Sequence, residues 1–163
     1  MNLFKWLFGK KEKVALELPH EFLQADPPDW LLELKANELP HGEAFGVKVQ
    51  LLAETRSGSA TITVHPQIGE GAAQTATSDL TQIEGGRLMV LLGFSFPNDI
   101  GDVGAPVTEG VAANLTIHQR EPYVIREGAC NLASWLGSKK SQPPTVEIAM
   151  MLLGMKERIL NQK

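Results

Sequence analysis

Strict alternation of apolar and polar residues in the middle of the chain is the feature that most constrains its fold. Apolar side chains occupy every second position of residues 45–51, which is the period of a β-strand with one buried face. The glycine-containing segment 56–59 interrupts this pattern, and β-branched residues resume over residues 60–64. Two such runs joined by a short loop with glycine predict a β-hairpin.

Further strands are predicted on both sides of this hairpin. Residues 111–119 alternate in the same way, with His118 on the outward, solvated side. Residues 87–96 are apolar on both faces, a pattern typical of a central strand that is covered on both sides. Shorter strands are predicted at residues 14–18, 122–126 and 32–36, although a short helix starting at Pro27 or Pro28 is the alternative for the last of these.

These strands and the short turns between them predict the fold class. The chain is expected to be mainly β, with an antiparallel β-sandwich that is either immunoglobulin-like or an open barrel. Residues 66–77 are small and polar and predict a long mobile loop. Residues 78–84 predict one or two helical turns, which Ser78 or Asp79 caps and which Gly85 and Gly86 end.

The C-terminal segment changes to a helical period. Residues 145–160 predict a helix of about four turns. Its central apolar stripe consists of Ile148, Met151, Leu152, Met155 and Ile159. So broad an apolar face must be covered, either by the sheet of the same chain, which is the favoured alternative, or by another chain. In the second case Met151 and Met155 are the predicted partner-binding residues, because methionine adapts to irregular surfaces.

The first thirteen residues combine a bulky apolar face with clustered lysines. The apolar residues are Leu3, Phe4, Leu7 and Phe8 with Trp6 at their flank, and the basic residues are Lys5, Lys10, Lys11 and Lys13. This composition predicts a segment that lies in the interface of an anionic membrane. It is too short to cross a bilayer, and its charge follows the apolar stretch, unlike that of a signal peptide. A helix in a partner's groove, or a tail packed on its own domain, remains an alternative.

Charge is distributed unevenly along the chain. Residues 1–13 hold four lysines and one glutamate, a net charge of +3, and residues 139–163 also carry +3. The whole chain carries −4, so residues 14–138 carry −10. An acidic body argues against nucleic acid as a ligand, because binding to phosphates requires clustered lysine and arginine. We therefore predict a basic N-terminal segment (1–13), a β domain (14–138), and a linker with a C-terminal helix (139–163).

No motif in the sequence specifies a reaction, a metal or a cofactor. His20, His41, His65 and His118 lack the close spacing of zinc ligands, and the acidic loop 98–104 does not match a calcium-binding loop. The single cysteine, Cys130, excludes an internal disulfide and is typical of a reducing compartment. We accordingly predict no catalytic residue, no metal and no cofactor.

The functional hypothesis combines these observations. We expect a cytoplasmic, non-catalytic binding or adaptor protein, peripheral to the inner face of a membrane, whose β domain presents loops or an edge strand to a protein partner. One alternative is an enzyme whose site is assembled from His65, His118, Asp99 and Asp102. Another is a structural subunit that forms homo-oligomers through its C-terminal helix.

Overall fold

The computed structural model describes residues 18–39, 43–65, 72–94, 110–131 and 144–162. The strands are β1 (Trp30–Leu39), β2 (Ala44–Leu52), β3 (Ser57–His65), β4 (Gln74–Asp79), β5 (Gly110–Gln119) and β6 (Val124–Asn131). The α-helices are α1 (Gln82–Leu92) and α2 (Pro144–Leu160), and a 3₁₀ helix spans His20–Leu23. The predicted class, mainly β and antiparallel with a C-terminal helix, is confirmed.

The six described strands form one sheet with the order β4-β3-β2-β1-β5-β6. The first four strands follow one another as neighbours, and α1 carries the chain from β4 to β5 on the far side of β1. The predicted hairpin of residues 45–51 and 60–64 is confirmed as β2 and β3, which pair from Ala44↔His65 to Leu52↔Ser57. Arg56 completes the turn between them with a φ of 52°.

Both α-helices pack on the same side of the sheet, which we call the helix face; the opposite side is the open face. Alternate residues of the central strands point to the helix face because successive side chains of a strand point to opposite sides. The strand residues of this core are Leu32, Leu34, Phe45, Val47, Val49, Ala60, Ile62, Leu115 and Ile117, among others. The strand patterns predicted at residues 32–36 and 111–119 are thus confirmed, and β6 begins two residues after the predicted Pro122.

The helix predicted at residues 145–160 is confirmed as α2. Ile148, Leu152, Met155 and Ile159 are buried in the core that the helix shares with the sheet. The broad apolar face is therefore covered by this chain's own sheet, which was the favoured alternative.

The strand predicted at residues 87–96 is wrong, because residues 82–92 form helix α1. Thr81 and Glu84 make a capping box in which each side chain accepts a hydrogen bond from the other residue's backbone N–H. Leu88, Leu91 and Leu92 recur at helical spacing and are buried. The apolar run fitted both periods, and the capping box together with packing on the sheet selects the helix.

Two further predictions in this region are corrected. Part of the predicted loop 66–77 is strand β4, and residues 66–71 lie outside the described residues. Gly85 and Gly86 lie inside α1 and do not end it. Gly85 is there because the turn before β3 passes close to the helix: a Cβ at residue 85 would lie 1.9 Å from the carbonyl oxygen of Arg56.

Candidate functional site

The open face of the sheet carries most of the polar side chains that the strands contribute. The strand registers place them in transverse rows. The first row consists of Asp79, Ser59, Gln50, Leu31, His118 and Ile125, and the second of Thr77, Thr61, Lys48, Glu33, Thr116 and Glu127. Each row crosses the whole sheet from β4 to β6, so residues far apart in the sequence become neighbours.

A cluster of charged side chains occupies the centre of this face. The 3₁₀ helix lies over the sheet and brings Glu21, which is only 4 % exposed, to Lys48, with 2.8 Å between Glu21 Oε1 and Lys48 Nζ. Lys48 Nζ is also 3.6 Å from Glu33 Oε1. His118 Nε2 lies 3.4 Å from the other oxygen of Glu33. These contacts tie the segment before β1 to three strands of the sheet.

The protonation equilibria of the cluster follow from these contacts. Burial alone would raise the pKa of Glu21, but the hydrogen bond and charge of Lys48 outweigh it and lower that pKa. The hydrogen bond with His118 lowers the pKa of Glu33, and the charge of Lys48 adds to this effect. The hydrogen bond to Glu21 raises the pKa of Lys48. Both carboxylates and the ammonium group are therefore stabilised in their charged forms.

Three aromatic rings cover one end of the cluster. Phe22 meets His118 and Tyr123 edge-on, with ring centroids 6.4 and 6.1 Å apart, and the His118 and Tyr123 rings are stacked at 6.5 Å. His118 is only 9 % exposed, so the prediction that it is solvated is wrong. The cause is the 3₁₀ helix, which covers the open face at this point. Burial, followed by the charges of Glu127 and Glu33, raises the pKa of Tyr123.

The Glu21 cluster has the contacts of a structural network. The charged groups are paired with one another, while His118 Nδ1 and Tyr123 Oη are buried without a hydrogen-bond partner. Among the described residues, no three histidine, cysteine or acidic side chains are grouped so as to hold a metal ion. Sequence reasoning missed Glu21, Phe22 and Lys48, because nothing in the sequence shows that the 3₁₀ helix folds back over the strands.

A cleft of about 540 Å³ opens beside this cluster, at the β4 end of the first row. Asp26 and Asp79 contribute carboxylates, Gln50 and Ser59 contribute an amide and a hydroxyl, and Leu52 and Leu80 contribute apolar walls. No lysine or arginine lines the cleft. Gly58 allows β3 to pass close to β2 beneath it, because a Cβ there would lie 1.8 Å from the carbonyl oxygen of Gln50.

Strand β4 forms one edge of the sheet next to this cleft. The N–H of Leu80 donates to the carbonyl of Gly58, which continues the register of β3 and β4. Because hydrogen-bonded and non-bonded pairs alternate in an antiparallel ladder, the backbone groups of Thr75, Thr77 and Asp79 point away from β3. Within the described part of the chain, the only hydrogen bonds to these outward groups are those that the carbonyl of Asp79 accepts from Arg158 and Ser78.

The residues predicted to carry function have different positions. The membrane-binding residues of segment 1–13, as well as Asp99, Asp102 and most of the strand predicted at 14–18, lie outside the described residues. Met155 is 1 % exposed in the core, whereas Met151 is half-buried. His65 and His118 are not brought together: the registers separate them by about 20 Å along the strands and about 14 Å across them.

Comparison with known proteins adds no family. No protein-family model matches this chain, and no curated protein matches it. None of the helices in the described segments is both long and apolar enough to span a bilayer.

Proposed function

We propose that this protein is a non-catalytic adaptor that binds a protein partner through its edge strand β4. An exposed edge offers unpaired N–H and C=O groups to which an extended segment of another chain adds as a further strand. The observation that carries this proposal is the outward row of backbone groups at Thr75, Thr77 and Asp79.

The two edges of the sheet differ in a way that favours β4. Natural proteins protect edge strands with charged side chains, proline or bulges. Within β6 the residues Arg126 and Glu127 are charged, while β4 has the sequence QTATSD and carries one charge, at its last residue. Five of the six β4 residues are uncharged and none is proline, so β4 is the less protected edge.

Membrane association is the second part of the proposed function. Segment 1–13 supports it through the lysines and the bulky apolar face described above. An adaptor held in this way would present β4 to partners at the cytoplasmic surface of the membrane. The anchor and the edge strand are separate features, so each is tested by itself.

The edge-strand proposal is tested by a pair of substitutions at one position. Thr77→Pro removes an N–H that points away from β3, whereas Thr77→Val removes the same hydroxyl and keeps the N–H. The full-length protein and both variants are used to isolate complexes from membrane fractions of cells that express them. We expect a partner that remains with Thr77→Val and is lost with Thr77→Pro. A partner that is retained equally by both variants would contradict the proposal.

A further inference from the structure

The cleft beside β4 contains two carboxylates that the described chain does not neutralise. Asp26 and Asp79 form no hydrogen bond or ion pair through their carboxylates with any described residue. Arg158 contacts Asp79 only through its carbonyl oxygen, and the charge of Arg158 is compensated by Glu84. The cleft therefore has a negative charge without a counterion from the described chain.

Neighbouring acidic residues are treated differently by the fold. Asp29, three residues after Asp26, is paired with Arg120 at 3.0 Å. Glu84, five residues after Asp79, accepts two hydrogen bonds from Arg158. The contrast between these paired acids and the two acids of the cleft favours a cation from outside the described chain.

The shape of the cleft limits what that cation is attached to. A volume of about 540 Å³ lies within the range of binding pockets for small organic groups. Leu52 and Leu80 provide apolar walls along which the methylene stem of a lysine or arginine can lie. Gln50 and Ser59 provide oxygen acceptors for its N–H groups.

The sheet register connects this cleft with the edge strand. Asp79 is the last residue of β4, and its neighbours in the first row are Ser59 and Gln50. A strand that adds to β4 extends this row by one residue, which lies opposite Asp79. Opposite residues of paired strands have Cβ atoms about 4.5–5.5 Å apart, so a long side chain at that place reaches the cleft.

We propose that the cleft receives a lysine or arginine side chain of the segment that adds to β4. The partner is thus an extended peptide with a basic residue opposite Asp79. This inference rests on the proposed function for its partner, but the affinity of the cleft for a cation is measurable without any added strand.

The first experiment probes the cleft alone with small ions. The full-length protein is titrated with n-butylguanidinium, n-butylammonium and, as the anionic control, butyrate, and backbone amide shifts are followed by NMR. We expect both cations to shift Gln50, Ser59 and Leu80, and butyrate to leave them unchanged. Asp26→Asn combined with Asp79→Asn should weaken cation binding about fivefold or more. Glu127→Gln, on the same face at the other edge, should leave it unchanged.

The outcomes of this titration are decisive in both directions. Shifts that butyrate also produces, cation binding that persists in the double variant, or absence of shifts at the cleft would each overturn the inference. Because the fragments need no free edge, such a failure leaves the edge-strand proposal intact.

The second experiment tests the basic strand itself. Two capped peptides with the sequence Thr-Val-Thr-X-Thr-Val-Thr carry arginine or glutamate at X, and their binding is measured by fluorescence anisotropy. The arginine peptide should bind more tightly to the native protein, lose this preference with Asp79→Asn, and lose binding with Thr77→Pro. An arginine peptide that binds no better than its glutamate counterpart overturns the inference. Binding that survives Thr77→Pro instead removes the added strand.

Discussion

Arg158 and Glu84 join the two helices that cover the sheet. Arg158 Nε and Nη2 donate to the two carboxylate oxygens of Glu84 at 2.7 and 2.8 Å. The same carboxylate accepts the N–H of Thr81 in the capping box of α1, and the same guanidinium donates to the carbonyl of Asp79. One ion pair therefore fixes the end of α2, the start of α1 and the end of β4 relative to one another.

This arrangement predicts that Arg158→Lys destabilises the protein. Lysine keeps the charge but loses the planar pair of donors, so we expect the free energy of unfolding to fall by about 1–3 kcal/mol. Urea denaturation monitored by circular dichroism measures the change. Arg87→Lys is the control, because Arg87 also binds a carboxylate across the helices, at Glu147, but is 50 % exposed; it should cost about 0–1 kcal/mol. Equal losses in both variants would contradict the prediction.

Two adjacent glycines in α1 should respond in opposite ways to alanine. Gly85→Ala places a Cβ 1.9 Å from the backbone oxygen of Arg56, and such overpacking costs about 1–3 kcal/mol. Gly86→Ala meets no atom within 4 Å and should stabilise the helix by about 0.5–1 kcal/mol through reduced backbone entropy. Thermal unfolding of both variants checks this. A stabilised Gly85→Ala would show that the turn at Arg56 is free to move away.

The misassigned helix α1 shows where sequence patterns reach their limit. Strands β1, β2, β3 and β5 could be predicted because each has one face in the core and alternates accordingly. The apolar run from Leu88 to Leu92 fits a buried strand and a buried helix equally well. The capping box of Thr81 and Glu84 was the local signal that could have distinguished them.

The candidate site was predictable in kind and not in its residues. The notion of an edge strand that meets a partner followed from the β pattern, but β4 itself was assigned to a loop. Its sequence QTATSD lacks large apolar residues, because an edge strand buries little surface. The cleft and the Glu21 cluster depend on how the segment before β1 folds over the sheet. That is a long-range contact which local periodicity does not encode.

The direction of the β4 backbone predicts a difference between two proline substitutions. Thr77→Pro removes an outward N–H and should cost little more than Thr77→Val, since both lose the 3.0 Å hydroxyl contact with Thr61. Ala76→Pro removes an N–H directed at β3 and should cost about 1–3 kcal/mol more. Chemical denaturation of the three variants measures the difference. Proline substitutions that are equally harmful at both positions would disprove the assigned direction.

The charged cluster predicts a dependence of stability on acid pH. The pKa values of Glu21 and Glu33 are lowered in the folded protein, so their contribution is present above the ordinary pKa of about 4.5 and is lost as pH falls through the lowered values. Glu21→Gln should destabilise the protein by about 1–3 kcal/mol at pH 7 and flatten the decrease in melting temperature below pH 5. Glu121→Gln, at a side chain that is 79 % exposed, should leave that slope unchanged. A slope that Glu21→Gln does not alter would remove the cluster as its source.

The proposed anchor predicts salt-sensitive binding to anionic vesicles. Each lysine close to an anionic surface contributes about 1 kcal/mol, so replacing Lys10, Lys11 and Lys13 by glutamine should lower vesicle affinity about a hundredfold at low salt. Removal of residues 1–13 should abolish flotation, because the apolar face is then lost as well. Zwitterionic vesicles are the control, and on these the glutamine variant should resemble the native chain. Since the remaining chain carries −7, it should be repelled by the anionic surface, and flotation equal to that of the intact chain would exclude the anchor.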